Sequence, residues 1–315
     1  MFNSRKRRFF PVSLLLLGII GLLLLLPAIA LLAQPGERPR CETGGDFVWI
    51  PAGAFMQGSD RRERDYAYRI SAEAEAKHPA AIAPIEERLR QQQWFERESA
   101  RSQQSLDGLC ISRHLVTNAE YQAFVRATGW RSPGISPKDY QRQGFLVHPY
   151  GEVRAYLWEN DGFPAGEGQH PVVLVSYDDA IAYAHWQGRQ DGQTYALPTA
   201  AQWEKAARGT DGRYFPWGND WRDKATNWSG SGRWHTSEIG AYPLSRSLYG
   251  VEDMAGNVFE FTATRRSPNE SVMKGCSWDD LPGFCRAAYQ HTRPPASRHI
   301  LFGFRLVKLY KNSTF

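Results

Sequence analysis

Outside its first forty positions, this chain of 315 residues has no net charge. Residues 1–40 hold Arg5, Lys6, Arg7, Arg8, Arg38 and Arg40 against Glu37 alone, an excess of five that equals the formal charge of +5 of the whole. Residues 41–315 are therefore formally neutral, and a basic nucleic-acid-binding face is excluded as the meaning of the high isoelectric point. Histidine is sparse too: the eight residues show neither HxxxH nor HxH spacing, so each reads as a surface or hydrogen-bonded side chain and not as a metal ligand. No internal repeat is visible, and long periodic helices are few. Cysteine is limited to Cys41, Cys110, Cys276 and Cys285. What is present, 42% apolar and 13% aromatic residues, is ample for a packed core in one large domain or two small ones.

The basic cluster has a neighbour that explains it. RKRR at 5–8 precedes FFPVSLLLLGIIGLLLLLPAIALLA at 9–33, uncharged and long enough to cross a ~30 Å hydrocarbon layer as a helix. Basic residues ahead of such a run stay cytoplasmic, which sends the remainder outward. The expected organisation is a cytoplasmic segment 1–8, an inner-membrane anchor or signal peptide 9–33, and a periplasmic or otherwise extracytoplasmic remainder. The small-x-small site Ala28-Ile29-Ala30 fits cleavage, whereas the length of the run favours an anchor. Four cysteines in an oxidising compartment pair unless catalysis protects them, and three pairings are open.

Residues 34–46 read as a Pro/Gly linker, and FVWIPAGAFMQGS (47–59) as short strand pieces. From 61 to 104 the composition turns charged, with Gln and Ala, and suggests an inserted, mostly helical excursion with a solvated face. LCISRHLVTNAEYQAFVRATG (109–129) predicts a strand and then a helix capped by Thr117 or Asn118 and stopped by Gly129. HPVVLVSYDDAIAYAHWQGR (170–189) repeats the plan, with a strand at Val172–Val175 and a Ser176/Asp179 cap; LPTAAQWEKAARG (197–209) adds a helix between Thr199 and Gly209. Turn-rich aromatic segments follow, FPWGNDW (215–221) and MAGNVFEFTAT (254–264). A compact α+β domain with little regular structure is the expected class.

These phrases, with LVTNAEYQAFV, YGVEDMAGNVFEF, KGCSW and FGFRLV, stand in an order that resembles the formylglycine-generating enzyme or sulfatase-modifying factor family over about residues 47–307. The resemblance implies a variant of the C-type lectin fold for a domain at 47–309. Active members use two cysteines, one shortly after the KGGS phrase and one five residues later, to bind copper and oxidise a substrate cysteine. Soft thiolates select Cu(I). Aligning KGCSW there sets Asp279 and Asp280 where the first cysteine should stand, with no second cysteine at the expected place, so no copper is expected and formylglycine generation is the least favoured reading. Cys276 replaces a glycine of the phrase, and Cys285 lies in CRAA, where relatives carry a structural cysteine. Relatives with cysteines before the first strand and in the second imply Cys41–Cys110, which leaves Cys276–Cys285. The family's iron-dependent branch takes its metal histidines from an attached four-helix domain that no segment here supplies.

The same resemblance places a structural Ca2+ site in GNVFEF, through Asn257, the Val258 carbonyl and Glu260, with oxygen-only ligands that suit the ion. The alternative is a left-handed turn at Asn257 and a Glu260–arginine pair. A second site would use Asn227 and the Trp228 carbonyl. The family's peptide groove would be lined by Ser277, Trp278, Asp279, Asp280, Arg293 and Arg298. Asp279, Asp280 or Glu260 could serve as an acid or base if one pKa were raised, or stand as solvated ion pairs; Trp278 suits a ligand contact or core packing. Members without the cysteine pair, such as the periplasmic activator of type VI secretion threonine phosphorylation, imply a non-catalytic component that binds an envelope protein or peptide. The rival expectation is a periplasmic oxidase or tailoring enzyme acting on a peptide siderophore.

Overall fold

The computed structural model describes residue 41 and residues 45–309. The expected segments at 1–8 and 9–33 and most of the linker lie outside the described residues, among which no helix is long and apolar enough to cross a membrane. Pro51 separates β1 (Phe47–Ile50) from β2 (Gly53–Gln57), because a proline cannot donate to a continuing ladder. Then come α1 (Arg61–Glu75), α2 (Ile82–Gln91), β3 (Ser102–Leu106), β4 (Leu109–Ser112), α3 (Asn118–Thr128), α4 (Pro137–Gln143), α5 (Tyr150–Val153) and α6 (Tyr177–Asp191). The remainder is β5 (Thr194–Ala196), α7 (Ala200–Arg208), β6 (Phe259–Ser267), β7 (Glu270–Lys274), β8 (His291–Arg293), β9 (Phe302–Gly303) and β10 (Val307–Leu309).

Three helices start on the caps expected of them, with Thr117 taken over Asn118 for α3, and each cap proves to be a full capping box. Thr117 with Glu120, Ser176 with Asp179 and Thr199 with Gln202 each exchange side-chain and backbone hydrogen bonds. Gly129 ends α3 in the left-handed region at φ 66°. The strands form an antiparallel sheet in the order β1-β4-β10-β5, a β2-β3 pair, and a sheet β8-β7-β6-β9 in which β6 and β9 run parallel. Between α3 and α6, Tyr121, Phe124 and Tyr183 pack on Phe304 of the FGFRLV phrase, with ring centroids 5.2–6.3 Å apart. All described residues fall in one compact unit.

Two expectations need correction. Val172–Val175 is buried but forms no strand, because Leu174 sits at φ 58° and its neighbours bond irregularly, Val172 N–H to the Val116 carbonyl and Leu174 N–H to that of His299. The 61–104 segment is helical as expected through α1 and α2, yet it ends in β3, paired with β2, and one face of α1 is deeply buried. Glu63 receives Arg286 Nη1 and Arg208 Nη2 at 3.2 and 3.1 Å. Arg208 also meets Glu204, which meets Lys274, while Arg286 meets Glu98, and every one of these side chains is at most 1% exposed. Three carboxylates balance three cations there, so the segment is bolted to the core.

Candidate active site around Ser277 to Asp280

The site follows β7. Gly275 turns the chain in the left-handed region, at φ 77°, and Cys276 is held by a disulfide to Cys285, on a 3-10 turn at Pro282–Cys285, with 4.8 Å between Cα atoms. Cys41–Cys110 is the second bridge, and no cysteine is free. Counted from Asp280, Cys285 does stand at a five-residue interval, so spacing alone does not remove it. The disulfide does, since a sulfur bonded to sulfur is not a thiolate ligand. Two bridges and no thiol are the chemistry of an oxidising compartment.

After the bridge, Ser277 N–H donates to Asp280 Oδ2 at 2.8 Å, and Ser277 Oγ lies 2.6 Å from Asp279 Oδ1 and in contact with Asp280 Oδ2. One hydroxyl hydrogen cannot fully serve both carboxylates, an arrangement that favours the protonated form of one of the pair. Burial first, and the neighbouring Asp279 charge second, push Asp280 up to about 8. Asp279 Oδ2 lies 2.9 Å from His148 Nε2, and His148 Nδ1 lies 2.7 Å from Glu152 Oε2. With a carboxylate at each nitrogen the imidazolium is favoured; burial opposes this, but the bonds to Asp279 and Glu152 win and the His148 pKa is raised. The result is a hydrogen-bonded string, Glu152, His148, Asp279, Ser277 and Asp280, able to hold and pass a proton.

Around it, Tyr140 Oη lies 2.9 Å from His299 Nε2 and donates to the His148 carbonyl. The Trp278 ring packs on His148 at 4.9 Å and is buried, so it serves the core while its indole N–H has no partner among the described residues. Arg293 lies over the Phe145 ring at 3.4 Å and donates to His291, which burial holds neutral with a pKa of about 3. The exposed Leu146 and Val147 immediately precede His148.

Other expected site residues go elsewhere. Arg298 is not gathered with the two aspartates but bonds buried Asp179, the residue that closes the α6 capping box on Ser176, together with the Leu174 carbonyl. Glu260 is no open acid or base: both carboxylate oxygens accept from buried Arg305, at 2.6 and 2.8 Å. Asn257 takes the left-handed turn at φ 69° and bonds the Ser237 N–H and carbonyl through its amide. Gly256 ahead of it permits the turn, since a Cβ there would collide with Thr226 Oγ1 and the Asn227 carbonyl. The donor set Asn257, Val258 and Glu260 therefore does not fit a calcium ion, because its one charged ligand is committed to a guanidinium. Asn227 is no separate centre either; its amide reaches Asn257 Oδ1 at 3.4 Å and the His235 carbonyl at 2.8 Å. Sequence reasoning missed Tyr140, His148, Glu152 and His299: the first three fall within one short stretch, with His148 and Glu152 four residues apart, but their meeting with His299 and Asp279 is made only by the fold.

The match to the sulfatase-modifying factor enzyme 1-like domain over residues 32–310 covers most of the chain, which belongs to that family. Mouse inactive C-alpha-formylglycine-generating enzyme 2 is 34% identical over 194 residues, 53% of this chain and 60% of that protein. Formylglycine-generating enzyme of Mycobacterium tuberculosis is 31% identical over 51% of this chain and 65% of its own length; hercynine oxygenase of Mycolicibacterium smegmatis is 29% identical over 86% and 63%. The chain thus spans about three-fifths to two-thirds of each of these relatives. Among solved structures, PvdO from Pseudomonas aeruginosa shares the fold with a TM-score of 0.61 at 22% identity, over 84% of this chain and 94% of that one.

Proposed function

We propose that the chain is an extracytoplasmic member of its family that does not generate formylglycine and instead recognises an extended segment of an envelope protein or peptide beside Ser277–Asp280. The observation that carries this reading is the Cys276–Cys285 bridge: the sulfurs nearest the family's reactive position are spent on a staple. Exposed Leu146 and Val147 beside His148 supply an apolar lip for a partner chain, with Arg293 as a nearby cation. A similar protein named inactive is consistent with a scaffold retained for binding.

The test is photo-crosslinking from position 146 or 147 in native envelopes, with formylglycine formation assayed on a cysteine-containing peptide. Crosslinks to a discrete polypeptide that Leu146→Asp weakens, with no aldehyde formed, support the reading. Aldehyde formation, or crosslinks indifferent to Leu146→Asp, would overturn it.

A second reading rests on the proton held at Asp280. A string that ends in a protonated carboxyl can act as a general acid, and its conjugate base as a general base, on a peptide bound in the same place. Turnover with a bell-shaped pH profile that Asp280→Asn abolishes would select this tailoring enzyme over the binder.

A further inference from the structure

We propose that Glu167, His170 and His235 form a three-ligand site for a first-row divalent transition metal, with a position open to water or another ligand. One potential ligand atom from each of the three residues lies within 4.8 Å of the others. Glu167 and His170 come from one loop, and His235 from a segment 65 residues beyond His170, so only the fold assembles the set. A carboxylate and two imidazoles suit zinc or ferrous iron, and three protein ligands are the count of open sites.

The hydrogen bonds around the cluster favour a cation. His235 Nδ1 lies 3.3 Å from the Thr236 carbonyl and 3.2 Å from Thr236 Oγ1; in the tautomer that donates to the carbonyl, which only accepts, that nitrogen carries the hydrogen. The neutral ring then leaves Nε2 as a lone pair, 3.3 Å from Glu167 Oε1. Two acceptors facing one another repel unless a proton or a metal lies between them. That separation matches the edge of a tetrahedron with bonds of ~2.0–2.1 Å. Thr236 Oγ1 bonds His170 Nδ1 at 2.8 Å, leaving that ring's Nε2 as its remaining ligand atom. A single residue thereby orients both rings, the arrangement that second partners of metal-bound histidines provide.

The cradle is stiff as well. The Asn118 side chain donates to the Glu167 carbonyl at 2.9 Å, its N–H to that of His170 at 2.9 Å, and Ile239 N–H to that of Gln169 at 3.0 Å. The Tyr156 ring stacks on His235 at 4.3 Å. All three residues are only partly buried, which leaves an approach for the ion and a further ligand. Sequence reasoning missed the set because it sought helix or strand spacings, whereas Glu167 and His170 share a loop.

The full chain, stripped by chelator, is titrated separately with Zn2+ and, without oxygen, Fe2+, and loaded with Co2+ for visible absorption. One equivalent bound, with Co2+ d–d bands of a four- or five-coordinate nitrogen/oxygen site, is expected. His235→Phe keeps the stack on Tyr156 and removes the ligand, and Glu167→Gln is isosteric; both should lose the equivalent and the bands while the apo melting temperature holds. Thr236→Val should weaken binding about 10- to 100-fold. No stoichiometric binding by the parent, or binding unchanged in both ligand variants, would overturn the site. Whether Zn2+ or Fe2+ binds tighter names the metal.

Discussion

Two groups of charges sit at opposite extremes of burial and compensation. In the first, Glu63, Glu98 and Glu204 face Arg208, Arg286 and Lys274, and each carboxylate touches at least one cation. In the second, exposed Glu152 and partly buried Asp279 flank one imidazole, and among the described residues the Asp280 carboxyl meets only Ser277 by hydrogen bond. Burial penalises every member of the first group but in the second falls chiefly on Asp280. A matched set offsets the penalty by Coulomb attraction, although burial still raises the Glu63 pKa, and becomes a structural bolt; an unmatched carboxyl such as Asp280 favours the protonated form, which is the raw material of function. Removing a charge should therefore harm the first group and barely disturb the second.

The largest effect is expected from Glu63→Ala, which strands Arg208 and Arg286 with less negative charge than they need. A loss of roughly 3–5 kcal/mol is expected on breaking a buried pair, read by urea unfolding. A loss below 1 kcal/mol would mean that water or rearrangement replaces the acid, and the contrast between the groups would fail. Next comes the bridge: joint replacement of Cys276 and Cys285 by alanine should cost about 2–3 kcal/mol, since closing a short loop restricts the unfolded chain only modestly. Thiol labelling of the denatured, non-reduced parent should give no adduct.

Asp280→Asn sharpens the comparison through pH. A folded-state pKa raised above the unfolded one means that the native chain holds the extra proton, so Asp280 contributes stability that is full below the ordinary carboxylate range and is lost as pH rises toward about 8. Relative to the parent, the asparagine variant should be least stable in acid and should gain on it steadily as pH rises from the ordinary carboxylate range to about 8, the difference levelling off above that. Melting curves from pH 5 to 9.5 that stay parallel would show Asp280 to be ionised throughout. The smallest effect belongs to His148→Gln. His148 holds the Asp280 pKa down, so its loss should move the alkaline transition of Asp280 upward, with little change in melting temperature at neutral pH.

The fold was largely legible because its signals are local. Thr117, Ser176 and Thr199 mark helix starts through bonds three residues long, and Gly129 marks a stop through its own backbone. The site was legible only as a place. KGCSWDD points to Ser277, Asp279 and Asp280, yet neither their proton nor His148 could be inferred, because that partner lies 131 positions from Asp279. Arg298 and Glu260 misled for the converse reason: each looks available in sequence, and each is consumed by a partner, Asp179 or Arg305, more than 40 positions away.

The sequence by itself determined the family, the order of caps and turns, and the even cysteine count that calls for pairing in an oxidising compartment. These follow from short-range geometry and composition, which need no knowledge of the fold. Tertiary structure alone decided which charges neutralise one another, where a proton stays, that Glu167, His170 and His235 meet, and that the 61–104 segment is bolted to the core. Charge interactions and desolvation depend on distance and burial in space, and a linear sequence records neither.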